Sequence, residues 1–318
     1  MRFSCWRSCD ILQRKGHGSW RYEGYERMQS VAAALTMVRD DAFFLKAWLR
    51  YYGGIFGREN CYIVNHGRGD EVAALADGCN VIGIPGDPHP NFDMKRWRLL
   101  NNLVQGLRCY YTHVVVGDVD ELVVVDPGDG RTLLEYLREA RPRRFLTPLG
   151  LEVIHRIDLE KEEISDRILG PRRHVRLAPH YSKPCIVSHG AKIARGGHFS
   201  QYDKIHAPDE LYLFHLKFCD FRNYTEVMNA RNAVTESVGA DVQTSSIGRH
   251  WFAEARGEDR AVFEAFSDLE MKAGFDLGWV RKRMHRSWGP RGETGFWSFA
   301  RPEYEQQYVV PDRFLGVI

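Results

Sequence analysis

The sequence has no long hydrophobic run and no apolar core near its start that would suit a secretory signal peptide. Its longest apolar stretches, residues 31–38 (interrupted only by Thr36) and 122–125, are far shorter than the roughly 20 apolar residues of a transmembrane helix. We therefore expect no membrane-spanning helix and a cytoplasmic location. A peripheral contact with the inner face of a membrane is compatible with the same pattern.

Cysteine is scarce and charge is balanced. The seven cysteines are scattered over 318 residues, which does not suit a disulfide scaffold, and their odd number leaves at least one thiol unpaired within the chain. Lys and Arg total 44 and Asp and Glu total 42, a net charge of +2, so no nucleic-acid partner is expected. With 44% hydrophobic and 27% charged residues, the composition is that of a globular protein of one large or two small domains.

From residue 30 onwards, short apolar runs alternate with segments of helical periodicity. Strands are predicted at 31–38, 61–64, 80–84 and 112–116, and helices at 42–52, 71–76 and 94–110. Mostly apolar strands separated by helices are typical of a mainly parallel sheet covered by helices on both faces. The predicted class is therefore α/β with a Rossmann-like order of elements.

The pattern loosens after residue 126. Further strands are predicted at 145–148, 186–193 and 211–214, and helices at 132–140 and 221–238, whereas residues 150–182 read as irregular. The interpretation divides the chain into a leader (1–29), which is disordered or a docking arm, a main domain (30–238) and a mainly helical C-terminal extension (239–318).

The segment with the clearest chemistry is Asp118-Val119-Asp120-Glu121, which stands between two apolar runs. Ligands of open parallel sheets bind at the carboxyl ends of the strands, and Asp118 and Asp120 would project to the same side of an extended chain. Two hard oxygen ligands suit Mg²⁺ or Mn²⁺ bound together with substrate phosphates. The alternative is a polar turn between hairpin strands, but carboxylates crowded without a cation repel one another.

This segment resembles the D-x-D-E motif of GT-A fold glycosyltransferases, especially the family-2-like group with a D-V-D-E-F sequence after an apolar strand. Three other segments are similar to that group in the same order: residues 36–52 to its opening strand and helix, 65–70 to its D-N-x-S-x-D turn, and 214–221 to its late N-H-Y-x-x-K-S element. The resemblance covers about residues 30–235. It implies a GT-A fold and the transfer of a sugar from a nucleotide-diphosphate donor, with UDP-sugars favoured, to an acceptor hydroxyl.

The resemblance also implies roles for individual residues. A Mn²⁺ or Mg²⁺ ion would be held by Asp118, Asp120 and His215. Donor contacts are expected from Arg39, Asp40, Asp41, Asn65, Asp70, Asp118, Lys183, His198 and Lys217. For several of these a local structural role remains open: Asp40 or Asp41 as a helix N-cap, and Asn65 and Asp70 as turn residues. Transfer with inversion requires a carboxylate that removes the acceptor proton, and Glu152 is the named candidate.

The basic and aromatic segment 281–297 falls outside the resemblance. It is interpreted as a docking surface for a glycan or lipid-linked acceptor or for an anionic membrane, with a solvated helix face as the alternative. Two other functions stay open: a different metal-dependent enzyme acting on phosphates, such as a nucleotidyltransferase or phosphohydrolase, and a non-catalytic relative that binds a nucleotide or glycan.

Overall fold

The computed structural model describes residues 30–86, 91–142, 145–237 and 259–318, so the predicted leader lies outside the described residues. Four strands form the parallel part of a first sheet: β1 (Ser30–Val38), β2 (Cys61–His66), β3 (Asn80–Ile84) and β4 (Tyr111–Asp118). They are joined by the helices α1 (Ala42–Phe56), α2 (Asp70–Leu75) and α3 (Phe92–Leu107). The predicted parallel α/β arrangement is confirmed for this part of the chain.

Helices cover both faces of this sheet. Strand β1 suits this arrangement because it is apolar at every position from 31 to 38 except Thr36. Its Ala32 and Ala34 pack in one cluster with Trp48 of α1, and its Ala33 and Leu35 pack in another with Trp97 of α3. Alternate residues of a strand face opposite sides, so an uninterrupted apolar run buries both.

Asp41 is the N-cap of helix α1, and its Oδ1 accepts a hydrogen bond from the Phe44 backbone N–H at 3.2 Å. Its end differs from the prediction, since the helix continues through Gly53-Gly54 to Phe56. The buried Phe56 side chain stacks on Tyr52, and this packing outweighs the weak helix propensity of two glycines. The chain turns at Gly57, where φ is +84°, a conformation that glycine adopts without strain.

The first sheet is completed by two short strands, and a second sheet lies beside it. The first sheet has the order β3-β2-β1-β4-β9-β6, with β6 (Phe145–Leu146) and β9 (Ile186–Val187) antiparallel to their neighbours. The helix α4 (Leu133–Glu139) precedes β6. Strand β9 is shorter than the predicted strand 186–193. The fold class expected from the sequence is one mixed, mainly parallel sheet; the structure has two six-stranded sheets, and both are mixed.

The second sheet contains β5 (Glu121–Val125), β7 (Leu149–Ile154), β8 (His174–Leu177), β10 (Leu211–Phe218), β11 (Glu270–Lys272) and β14 (Gln306–Val309), in the order β11-β14-β8-β7-β10-β5. The prediction that residues 150–182 are irregular is therefore wrong for residues 150–154 and 174–177, whereas residues 155–173 contain no helix and no strand longer than an isolated bridge. Glu152 of β7 lies opposite Arg176 of β8, and this paired charge inside the sheet breaks the apolar pattern that identifies strands in the sequence.

The described C-terminal residues, 259–318, are mixed rather than mainly helical. It contains α6 (Asp259–Glu264) and α7 (Gly278–Arg286), a hairpin of β12 (Gly289–Pro290) and β13 (Trp297–Ser298), and strands β11 and β14. Strand β14 pairs with β8, so the second sheet joins strands from both sides of the predicted boundary at residue 238. The helix α5 (Phe221–Ser237) precedes that boundary.

The basic segment of α7 is only partly exposed. Arg281 is buried, its Nη2 donates to the Leu211 carbonyl oxygen at 3.0 Å, and its guanidinium lies 4.7 Å from the centre of the Tyr212 ring. This corrects the interpretation of Arg281 as part of a docking surface. Lys282 and Arg283 remain exposed. Within the described ranges, no helix is long and apolar enough to cross a bilayer.

Candidate functional site

A cleft of about 850 Å³ opens at the carboxyl ends of β1 and β4. Met37 of β1 lies beside Asp118 of β4 in the parallel register, so the acidic turn that follows β4 faces the same edge as Arg39 and Asp41. Helix α3 and the segment 193–199 supply further walls, and part of the C-terminal hairpin supplies another. This is the edge at which open α/β sheets bind ligands.

The carboxylate of Asp118 is held by two basic side chains of the protein. One oxygen contacts the guanidinium of Arg96 from α3, and the other lies 3.2 Å from Lys183 Nζ. Lys183 also contacts the carboxylate of Glu121, and both of these side chains are buried. The acidic turn is therefore compensated by the protein itself, which the repulsion argument from the sequence did not foresee.

A row of charged residues crosses the second sheet next to this turn. Glu121 lies opposite His215, His215 opposite Glu152, and Glu152 opposite Arg176, on the adjacent strands β5, β10, β7 and β8. Residues directly opposite one another on neighbouring strands place their side chains on the same face. The sheet register thus brings His215 next to Glu152 although 63 residues separate them.

His215 bridges two carboxylates. Its Nδ1 lies 2.9 Å from Glu152 Oε1 and its Nε2 lies 3.3 Å from Asp120 Oδ2. Burial alone would lower the pKa of His215, but Asp120 and Glu152 outweigh it and raise the pKa to about 9. The imidazole is therefore protonated at neutral pH, and it stacks on the ring of Tyr181 with 3.7 Å between the ring centres.

Glu152 lies behind His215 rather than in the cleft. Its carboxylate is 1% exposed and contacts Arg176 and His215. Burial would raise the pKa of Glu152, but these two cations lower it to about 2. A carboxylate this buried and this strongly paired is out of reach of an acceptor hydroxyl, which corrects the interpretation of Glu152 as the catalytic base.

The structure brings most of the predicted residues to one place. The following line the cleft: Arg39, Asp41, Asp118, Asp120, Lys183, His198, His215 and Lys217. Asp40, Asn65 and Asp70 do not. Asp41 lines the cleft and also caps helix α1, so its position is compatible with both donor contact and helix capping.

The turn that follows β2 is stabilised by the side chain of Asn65. Its side-chain amide donates to the Gly69 carbonyl oxygen at 2.9 Å, and its Oδ1 accepts from the Gly69 N–H at 3.0 Å. Asp70 is the exposed first residue of α2. Asp40 is exposed with φ of +47° and lies 3.6 Å from the Arg39 guanidinium. Local turn structure accounts for Asn65, and Asp40 reaches the cleft only through its contact with Arg39.

Two histidines near the cleft are neutral. His198 Nδ1 lies 2.7 Å from the His180 carbonyl oxygen, and burial lowers the pKa of His198 to about 2. Burial likewise lowers the pKa of His180 to about 4. His198 therefore contributes a neutral ring to the cleft, while Lys217, whose Nζ lies 4.9 Å from the centre of the Phe218 ring, contributes positive charge.

The cleft residues that the sequence interpretation missed include Arg96, Tyr181 and Arg291. Arg96 stands in a basic stretch at the start of α3 that looks solvated, yet it is buried. Tyr181 comes from a segment without periodicity, and Arg291 from the part of the chain assigned to docking. No local pattern distinguishes these residues, because their positions depend on contacts distant in the sequence.

A divalent ion fits part of the predicted ligand set. Neighbouring ligands of an octahedral Mg²⁺ ion are about 3 Å apart, given metal–ligand distances of about 2.1 Å, and Asp120 Oδ2 and His215 Nε2 are 3.3 Å apart. Glu152 orients His215 as carboxylates orient metal-binding histidines. Asp118, however, is paired with Arg96 and Lys183. Among the described residues no three His, Cys, Asp or Glu side chains are grouped around one position, so substrate phosphates would have to complete the coordination.

Comparisons with known proteins add little. No protein-family model matches the sequence, and no curated protein matches it. A solved structure described as mannose-1-phosphate geranyltransferase from Thermus thermophilus is 13% identical in sequence and superposes with a TM-score of 0.25. The match covers 73% of this chain and 67% of the chain of that structure. A likeness this weak carries no argument about function. The structure establishes an α/β protein with two mixed six-stranded sheets.

Proposed function

We propose that the protein is a GT-A-type glycosyltransferase that moves a sugar from a nucleotide-diphosphate donor to an acceptor hydroxyl. The observation that carries the proposal is the position of Asp118 and Asp120 at the carboxyl end of β4, in one cleft with Lys183, His215 and Lys217. Carboxylates that can hold a cation, next to basic groups that can bind phosphate, are what transfer from a diphosphate donor requires.

The donor nucleotide is proposed to bind at the ends of β1 and β2. Arg39 supplies a cation there; its Nη1 donates to the Gly86 carbonyl oxygen at 2.8 Å. His66 and Phe92 stack with 4.8 Å between ring centres and line the same end of the cleft. Aromatic faces beside a cation suit a base and its phosphates, and a UDP-sugar is the favoured donor by the family resemblance.

The diphosphate is proposed to lie over the acidic turn. Lys183 and Lys217 line this part of the cleft and would neutralise phosphate oxygens as point charges. A Mn²⁺ or Mg²⁺ ion held by Asp120 and His215, with Asp118 once released from its basic partners, would stabilise the charge that develops on the leaving diphosphate. His215 would have to give up its proton to bind the ion, since metal ligands must be deprotonated.

The proposed roles of Glu152 and Tyr181 are to position His215. The Glu152 carboxylate fixes Nδ1, so Nε2 faces Asp120. Tyr181 covers one face of the imidazole. Together they leave His215 a single orientation at the cleft wall.

Calorimetry with UDP tests the proposal. We expect UDP to bind at least about tenfold more tightly with Mn²⁺ than with EDTA, a difference of roughly 1.4 kcal/mol, and nucleotide-sugar donors to be hydrolysed slowly without an acceptor. Equal affinity in both conditions would mean that Arg96 and Lys183 replace the metal.

Two outcomes would favour the other classes of function. Release of pyrophosphate from nucleoside triphosphates, independent of any sugar, would indicate a nucleotidyltransferase. Tight donor binding with neither transfer nor hydrolysis would indicate a non-catalytic binding protein. Absence of nucleotide binding in every condition would reject the proposed function.

A further inference from the structure

The C-terminal hairpin forms one end of the cleft. Arg291, Thr294 and Phe296 of this hairpin line it. The hairpin is fixed to the segment 198–200, because the Trp297 N–H donates to the Ser200 carbonyl oxygen at 2.9 Å and Arg301 Nη2 donates to the His198 carbonyl oxygen at 2.5 Å. This end is therefore a built wall of the cleft.

Two guanidinium groups flank one aromatic ring at this wall: Arg291, which is exposed and lines the cleft, and Arg301, which is half-buried. The guanidinium carbons of Arg291 and Arg301 lie 4.2 Å and 4.4 Å from the centre of the Phe199 ring. Within the part of the chain that the structure describes, no carboxylate lies at ion-pair distance from either group, and Arg301 Nε is buried without a hydrogen-bond partner. Burial, and then the charge of Arg291, lower the pKa of Arg301 to about 10.

Four basic groups near the acidic turn are different, because each of the four has a carboxylate partner. Arg96 contacts Asp118, Lys183 contacts Asp118 and Glu121, and His215 lies between Asp120 and Glu152. Arg39 lies 3.6 Å from Asp40. Arg291 and Arg301 therefore differ from these four groups in having no carboxylate partner among the described residues. Two like charges held close together, one of them half-buried, become less costly when an anion joins them.

The order of the first sheet places this end on the far side of Asp118 from the proposed nucleotide site. Strand β4 lies between β1 and β9. Arg39 follows β1. Lys183 precedes β9, which runs antiparallel to β4, so Lys183 stands at the Asp118 end of β4 on the side away from β1. The segment 193–199 packs on this side, with Gly197 against the Lys183 side chain. A donor with its nucleotide over β1 and its diphosphate over Asp118 would direct its sugar, and the acceptor beyond it, towards the hairpin.

We propose that Arg291 and Arg301 form an anion site for a phosphate group carried by the acceptor, so that the substrate class is a phosphorylated acceptor. The assignment rests on the proposed function. Two guanidinium charges match a phosphate dianion better than a carboxylate monoanion. Each guanidinium can also donate two parallel N–H bonds to two oxygens of one phosphate.

Binding of inorganic phosphate to the full chain tests this site, measured by calorimetry with and without saturating UDP and Mg²⁺. We expect phosphate to bind the UDP-saturated protein, Arg291→Gln to weaken phosphate binding at least about fivefold, and Arg291→Lys to retain most of it. The affinity for UDP should change less than about twofold. Acetate should bind at least about fivefold more weakly than phosphate.

The matched control is Arg286→Gln, which removes the same charge from an exposed position of α7 outside the cleft and should leave phosphate binding unchanged. Thermal midpoints close to the wild-type value show that the variants are folded. If Arg291→Gln weakens UDP as much as phosphate, the residue belongs to the donor diphosphate site and the proposal is wrong. Phosphate that fails to bind UDP-saturated wild type, or acetate that binds equally well, also overturns it.

Failure of the proposed function has a separate signature. If UDP does not bind but phosphate binding to the nucleotide-free protein still depends on Arg291, the anion site is supported and its assignment to a glycosyl acceptor falls.

Discussion

Lys183 Nζ lies 3.2 Å from Asp118 Oδ2 and also contacts the buried carboxylate of Glu121, so one lysine compensates two acidic residues of the turn after β4. Lys183 is 3% exposed, which makes this a buried ion pair. Removing one partner of such a pair leaves an uncompensated charge. The turn's stability and its affinity for cations are therefore linked through Lys183.

Lys183→Met should destabilise the protein in EDTA by about 3–5 kcal/mol, the usual cost of breaking a buried pair. Because Glu121 then lacks its cation and Asp118 keeps only Arg96, Mn²⁺ should raise the thermal midpoint of this variant more than that of the wild type. Urea denaturation and thermal shift with EDTA or Mn²⁺ measure both effects. Lys192→Met, at an exposed position, is the control; an equal Mn²⁺ effect in both proteins would contradict competition between lysine and metal.

Asp120→Asn should reduce sugar transfer by about 10²-fold or more, the effect of losing one electrostatic stabiliser of a developing charge. It should also abolish most of the stabilisation by Mn²⁺ with UDP. Because Asp120 pairs with protonated His215, we expect the variant to melt below wild type in EDTA at pH 7, and not above it as relief of carboxylate repulsion would predict. Asp203→Asn, at an exposed site, should change neither property; full transfer activity in Asp120→Asn would reject the role of this carboxylate.

The stability of the metal-free protein should fall as pH rises from 7 to 10. The pKa of His215 is about 9 in the folded protein, above its usual 6.5. Its contribution to stability is therefore complete below about pH 6.5 and is lost as pH passes through about 9. Glu152→Gln removes one of the two carboxylates that hold the proton, so its stability should depend less on pH in this range. Urea denaturation at pH 7 and 9.5 in EDTA measures the difference; identical pH dependence in both proteins would show that Glu152 does not hold this proton.

Arg281→Ser should destabilise the protein by about 1–3 kcal/mol, because it leaves the buried Leu211 carbonyl oxygen without its partner. The double variant Lys282→Ser, Arg283→Ser changes only exposed residues and should stay within about 0.5 kcal/mol of wild type. Chemical denaturation compares the two. The double variant is also the correct probe of acceptor or liposome docking, since any loss of binding in it cannot arise from a disrupted core. A similar loss of stability in both would contradict the structural role of Arg281.

The first half of the fold could be predicted because its local patterns agree with its tertiary structure. Strands such as β1 are apolar on both faces, and α1 begins at a capping Asp41. The second sheet could not be predicted in the same way. Strands β7 and β8 carry Glu152 and Arg176, which are paired only across the sheet, so each strand alone looks too polar to be buried.

The acidic turn shows the same limit within the site. Its sequence predicted Asp118 and Asp120 as ligand-binding residues, because carboxylates after a buried strand are unusual and the carboxyl ends of parallel strands bind ligands; both line the cleft. The partners of these residues come from α3, from the segment around Lys183 and from β10. No spacing in the sequence relates them.

The sequence by itself determined the parallel core, the edge at which a ligand would bind and the acidic residues at that edge, since each depends on periodicity or on a few neighbouring positions. Only the tertiary structure decided that Glu152 supports His215 from a buried position, that Asp118 is already paired with basic side chains, and that Arg291 belongs to the cleft. The contacts of Glu152 with His215 and of Asp118 with Lys183 join residues 63 and 65 positions apart. The free energy of such contacts depends on burial and distance, which the order of residues along the chain does not contain.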